Sequence, residues 1–168
     1  MKRQQGIGMV EILVALLITA VGLIGITGMQ AVSLKNNLSA LNRSNALFLA
    51  GTIMDRIRTN PHADYKTALA DQPPISPTTC AGATVTCTTS QIAQVHIADW
   101  KCMLGGYQSH TYCSTFNPLM PDALGAVTLN ASGDYDIIIT WTDRVSYADG
   151  NKTGGQLVSI QTTLGMGM

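Results

Sequence analysis

Met1-Lys2-Arg3-Gln4-Gln5-Gly6-Ile7-Gly8-Met9-Val10-Glu11 opens the chain, and an apolar run follows it without a break. Two cations lead to a glycine, and from Ile7 to Leu34 the only charge is Glu11. An ionised carboxylate costs roughly 2.5 to 3.5 kcal/mol at the centre of a bilayer, and less towards its edge. A charge kept in such a run needs a partner, and the expected partner is another protein.

A secretory signal places its small-residue cleavage site after the apolar core. Here Gly6 precedes the core, so cleavage after it leaves the apolar helix on the mature chain. This arrangement resembles the class III signal of type IV prepilins, which a peptidase cuts after a glycine and which carries glutamate at the fifth mature residue. Cutting between Gly6 and Ile7 makes Glu11 fifth, whereas a cut after Gly8 would make it third. The resemblance implies cleavage by prepilin peptidase at Gly6–Ile7 and methylation of the new Ile7 amine. It also implies an assembly role for Glu11, paired with the first amine of its own or a neighbouring subunit. The plainer reading of the same residues is an uncleaved signal anchor with a chance glutamate.

At 168 residues the chain has room for one domain and an anchor. From Thr59 onward only Lys66, Lys101, Arg144 and Lys152 stand against eight aspartates. Nucleic-acid affinity depends on clustered Lys and Arg, so that composition disfavours it as a partner. Lys2 and Arg3 keep the short N-terminal side cytoplasmic and put the rest outside. Cys80, Cys87, Cys102 and Cys113 all lie in that exported part, where an even count reads as two disulfides with three possible pairings. Cys80 with Cys87 and Cys102 with Cys113 each close a short loop and are the preferred pairs. The rival is a metal site from Cys102, His110, Cys113 and His96, but the chain lacks a closely spaced C-x2-4-C ligand pair.

Met9 to Thr59 reads as one helix with two halves. Ile12 to Met29 is apolar on all sides, as a membrane span requires. Beyond Val32 the apolar residues settle into a stripe, Leu34, Leu38, Leu41, Phe48, Leu49, Ile53 and Ile57, expected to form one face. Asn60-Pro61 stops the helix. Some 50 residues make a rod of roughly 75 Å, longer than a membrane needs, so its outer half is the spine of a head. Gly22, Gly25 and Gly28 read equally well as close-packing sites and as points of local weakness.

Pro73-Pro74 and Pro77 make the next segment a loop. Ser90 to Leu104 forms a short helix, with His96 and Asp99 expected as a surface or capping pair. Ala126 to Leu129 is a strand leading into the turn Asn130–Asp134. Tyr135, Ile137, Ile139 and Trp141 alternate with Asp136, Ile138, Thr140 and Thr142 as a second strand. Asp149-Gly150-Asn151 belongs to a polar loop; it lacks the ligand spacing and closing glutamate of a calcium loop. Leu157 to Leu164 returns as the last strand.

Further segments resemble the PilV-type minor pilins: Val10–Leu17, Arg43–Leu47, Asp55-Arg56-Ile57-Arg58-Thr59-Asn60-Pro61, the Cys80/Cys87 pair, Asp99-Trp100 and Ile139–Asp143. The Cys102/Cys113 pair departs from that pattern and reads as a local insertion. The resemblance implies an α+β, type IV pilin-like fold, a long N-terminal helix packed on a C-terminal antiparallel sheet. Its parts are a leader (1–6), a transmembrane and assembly helix (7–33), an amphipathic spine (34–60) and a periplasmic head (61–168). It further implies a low-abundance subunit of a priming complex at the pilus tip, serving adhesion or motility. Its partners would be other minor pilins, the major pilin, prepilin peptidase, the inner-membrane assembly platform and a tip adhesin. Such a subunit starts in the inner membrane and ends in the extracellular pilus. A minor pseudopilin of type II secretion shares this architecture. No Ser-His-Asp arrangement, phosphate loop or paired-carboxylate signature supports a membrane-anchored periplasmic enzyme, and no cofactor is implied.

Overall fold

The computed structural model describes residues 8–74, 80, 86–120, 122–143 and 156–165. In chain order these form α1 (Met9–Thr59), α2 (Thr89–Met103), a short 3-10 helix (Thr111–Thr115), β1 (Leu124–Leu129), β2 (Tyr135–Asp143) and β3 (Gln156–Leu164). The chain divides into two compact units, Met1–Leu41 and Asn42–Met168.

From Met9 onward the described part of the first unit is helix. Its apolar window has a mean hydropathy of 2.6 with none of it buried, so by length and composition it can cross a membrane. No proline interrupts α1, and Glu11 in its first turn and Arg56 and Arg58 in its last turn complement the helix dipole. It ends where expected: Asn60 N–H closes a turn on Ile57 O at 3.1 Å, and Pro61 follows.

In the second unit Ala46, Leu49, Ala50, Ile53 and Ile57 of α1 enter one core with Ala93, Ile97 and Trp100 of α2 and Val127, Ile137, Ile139, Trp141 and Leu164 of the sheet. The stripe expected from the sequence is therefore only half right. Leu49, Ile53 and Ile57 are buried, but Leu34, Leu38 and Leu41 are exposed and Phe48 is 63% exposed. Phe48 stands roughly 100° round the helix from Leu49. The face that packs instead carries Ala46 and Ala50, whose small side chains let neighbouring elements approach.

α2 starts at a capping box. Thr88 Oγ1 accepts from Gln91 N at 3.3 Å, and Gln91 Oε1 accepts from Thr88 N at 2.9 Å. The sheet is an antiparallel meander in the order β1-β2-β3. Its first hairpin turns at Asn130, whose Oδ1 accepts from Ser132 N and Asp134 N, with Gly133 at φ 85°. Tyr135, Ile137, Ile139 and Trp141 all face the core, as their alternation predicts. β1 begins at Leu124, two residues earlier than expected, because Gly125 does not look like a strand residue in sequence. It is needed there: a Cβ at Gly125 would run into the Trp100 ring.

The segment closed by the second cysteine pair, expected from sequence to be a local insertion, packs into the core together with the residues that follow it. Tyr107, Cys113 and Met120 are all buried. Gly105, at φ 78°, has no room for a Cβ against Met120 O.

Candidate assembly helix and head clamp

Two groups of residues bear on function, one in each unit. In the first unit Glu11 is exposed in the first turn of α1, and its N–H donates to Gly8 O at 2.9 Å. None of the ion pairs among the described residues includes it. The proposed cleavage residues Gly6 and Ile7, like the Asp149–Asn151 loop, lie outside the described residues. Thr19 Oγ1 donates to Ala15 O and Leu16 O, and Thr27 Oγ1 to Ile24 O. These hydroxyls are satisfied inside the helix and need no water, as an apolar surrounding demands. A Cβ at Gly22, Gly25 or Gly28 would meet nothing within 4 Å, so any close packing at these notches involves a second molecule.

In the second unit a set of side chains fastens α2 to the end of α1. Arg56 Nη1 donates to His96 O at 2.9 Å and lies 3.7 Å from Asp99 Oδ2. Asp99 Oδ1 also accepts from Tyr112 OH at 2.8 Å. Asn60 Nδ2 donates to Thr89 O at 2.8 Å and to Tyr65 OH at 3.3 Å. Tyr65 OH sits 3.1 Å from Arg56 O and 2.9 Å from His96 Nδ1. Trp100 Nε1 donates to Leu49 O at 2.9 Å, and Asn45 Nδ2 to Leu119 O at 2.9 Å.

This placement corrects the reading of His96 and Asp99 as a surface or capping pair. Both are half-buried, and Asp99 is engaged by Arg56 and Tyr112. Burial, with help from Arg56, holds the His96 pKa below its ordinary value against the opposing pull of Asp99. The group is a structural clip.

Sequence reasoning missed Lys101, which is fully buried. Its Nζ donates to Ala68 O at 2.8 Å and Asp71 O at 2.6 Å and lies 4.8 Å from the Tyr107 ring centroid. Burial lowers its pKa to about 8, against the attraction of Asp71. A signal existed: positions 93, 97, 100 and 104 cluster on one helical face, and Lys101 falls at its flank, about 40° beyond position 97.

Cys80 is bonded to Cys87 and Cys102 to Cys113, with Cα atoms 5.8 and 4.8 Å apart. As half-cystines Cys102 and Cys113 offer no thiolate to a metal, and the described residues hold no group of three or more potential metal ligands.

Residues 1–27 match the family model of the prokaryotic N-terminal methylation motif, and residues 28–98 match that of type IV pilin Tt1218. The chain is a type IV pilin. No curated protein matches it, and no solved structure does. The pilin match spans α1 from Gly28, the connection that follows it and most of α2, so it covers Arg56, Asn60, Tyr65 and His96 of the clip. Pilins are structural proteins and not enzymes. One with this signal is processed by prepilin peptidase and assembles with other pilins, and its apolar helix fits membrane anchoring.

Proposed function

We propose that this pilin is a minor subunit of PilV type, joining other minor pilins in the complex that primes the pilus and stays at its tip. The observation that carries this reading is the common task of the PilV-like residues. Arg56 and Asn60 from one quoted segment, and Asp99 and Trp100 from another about 40 residues on, all take part in fastening α2 to α1. In this chain the residues that carry the resemblance therefore share one packing task. Before assembly Lys2 and Arg3 hold the N-terminus in the cytoplasm and the head faces the periplasm. Prepilin peptidase cuts after Gly6, and the Ile7 amine is methylated.

Glu11 then acts in assembly. Attraction between its carboxylate and the amine of Ile7, its own or a neighbour's, grows as water is excluded. A carboxylate left alone in such a place costs several kcal/mol. Deleting the gene should cut pilus number while the major pilin persists in the membrane. Glu11→Ala should insert and be cleaved yet fail to restore pili. Pili counted by electron microscopy at wild-type numbers, with the variant subunit in them, would remove Glu11 from assembly. Normal pilus numbers in the deletion strain would remove the priming role.

A further inference from the structure

The outer edge of β1 is closed at every alternate residue but the last. An edge strand turns alternate residues' N–H and C=O groups away from its neighbour. Ala123 O, just before β1, accepts from Gly106 N at 2.9 Å. Gly125 N donates to Tyr107 OH at 3.2 Å. Val127 exchanges two bonds with Thr67, at 2.9 and 2.8 Å. Leu129, at the end of the strand, is exposed.

The segment that supplies Thr67 is itself tied down from inside. Three of its carbonyls are held: Ala68 O and Asp71 O by Lys101 Nζ, and Leu69 O by Tyr107 OH at 2.7 Å. Asp71 Oδ2 accepts from Ala68 N at 2.6 Å and braces the turn. One hydroxyl, that of Tyr107, touches both the strap and the edge it covers. An ammonium in a fully buried position needs hydrogen-bonded compensation, and the strap's carbonyls supply it.

We propose that Lys66–Asp71 is an edge guard: Lys101 and Tyr107 hold it over β1, and releasing it makes β1 a strand-addition site for β1 of a second copy of this chain. The choice of a second copy follows from the strand. Leu124-Gly125-Ala126-Val127-Thr128-Leu129 has no charge and no proline, the composition that pairs readily with itself. With Thr67 gone, Val127 regains a free N–H and C=O facing outward.

The test uses the full chain in detergent micelles, with the wild type as reference. Thr67→Pro removes the N–H that bonds Val127 O without touching the buried lysine, and Lys101→Ala cuts the strap's main tie. Measured at a dilution where the chain is monomeric, each should lower hydrogen-exchange protection of the Val127 amide at least about tenfold while β2 keeps its own. Each should also raise self-association in analytical ultracentrifugation. Adding Thr128→Lys, which places like charges on facing edges, should return the Thr67→Pro chain to the wild-type state. If Lys101→Ala does not fold, Thr67→Pro decides alone. Unchanged Val127 protection in Thr67→Pro would overturn the guard. Lost protection without added self-association, or self-association that Thr128→Lys leaves intact, would overturn the strand-addition site.

Discussion

Lys101 shows how much one side chain alters the pH response of the head. Its folded pKa, about 8, lies below the ordinary lysine value of 10.5, so between them the unfolded chain holds more protons than the folded one. Stability therefore rises as pH climbs through that window and is lost as pH falls back towards 8. Tyr65 and Tyr107, both raised above 10 chiefly by burial, act the other way only above pH 10. All four cysteines are bonded, so no thiol titrates in between. The thermal midpoint should rise from pH 8 to pH 10, by the equivalent of at most about 3 kcal/mol. Lys101→Met should flatten that slope; an equal slope in the variant would assign it elsewhere. Trp100→Phe tests the clip at the same scale. It removes the second hydrogen bond on Leu49 O, which keeps its helical bond from Ile53 N, and leaves a void in the core; it should cost about 1 to 3 kcal/mol in denaturant unfolding, with no change in membrane insertion. A cost near zero would mean that the indole bond is replaceable.

Among the elements, those whose cause is local were legible in sequence. α1 runs from Met9 to Thr59 as read, because its apolar periodicity, the absence of proline and the Asn60-Pro61 stop are all written within a few residues. The alternation in Tyr135–Asp143 marked both the strand and its buried face. What failed depends on partners distant in the chain. Phe48 looked like a stripe residue, but the packing face is set by where Ala46 and Ala50 admit α2 and the sheet. Gly125 hid the start of β1 because its smallness matters only beside Trp100. Thr67 lies in a stretch read as loop, and its pairing with Val127 crosses 60 residues. The disulfide-closed segment looked like a local insertion; its buried Tyr107 and Cys113 join it to the core, a packing role that its sequence alone did not show. Replacing Cys102 and Cys113 by serine should therefore lower stability by about 2 to 4 kcal/mol, read as a drop in thermal midpoint of the full chain. A drop close to zero would mean that this bond does not contribute to the stability of the head.

For the whole molecule, the two units divide the labour of a pilin. The first carries the processing motif, Glu11 and an apolar surface with every side-chain hydroxyl of Thr19 and Thr27 satisfied internally. The second is a head in which α2, the strap and the sheet are fastened by named side chains. The methylation motif was more legible than the head, since a leader, a glycine and a glutamate in register are sequence signals that need no tertiary context. The central claim is that this chain is cut after Gly6 and built into pili. Mass analysis of the N-terminal peptide from purified, sheared pili tests it most directly. The account predicts a peptide that begins at N-methylated Ile7, in low abundance relative to the major subunit; a chain in assembled pili that still begins at Met1 would contradict it.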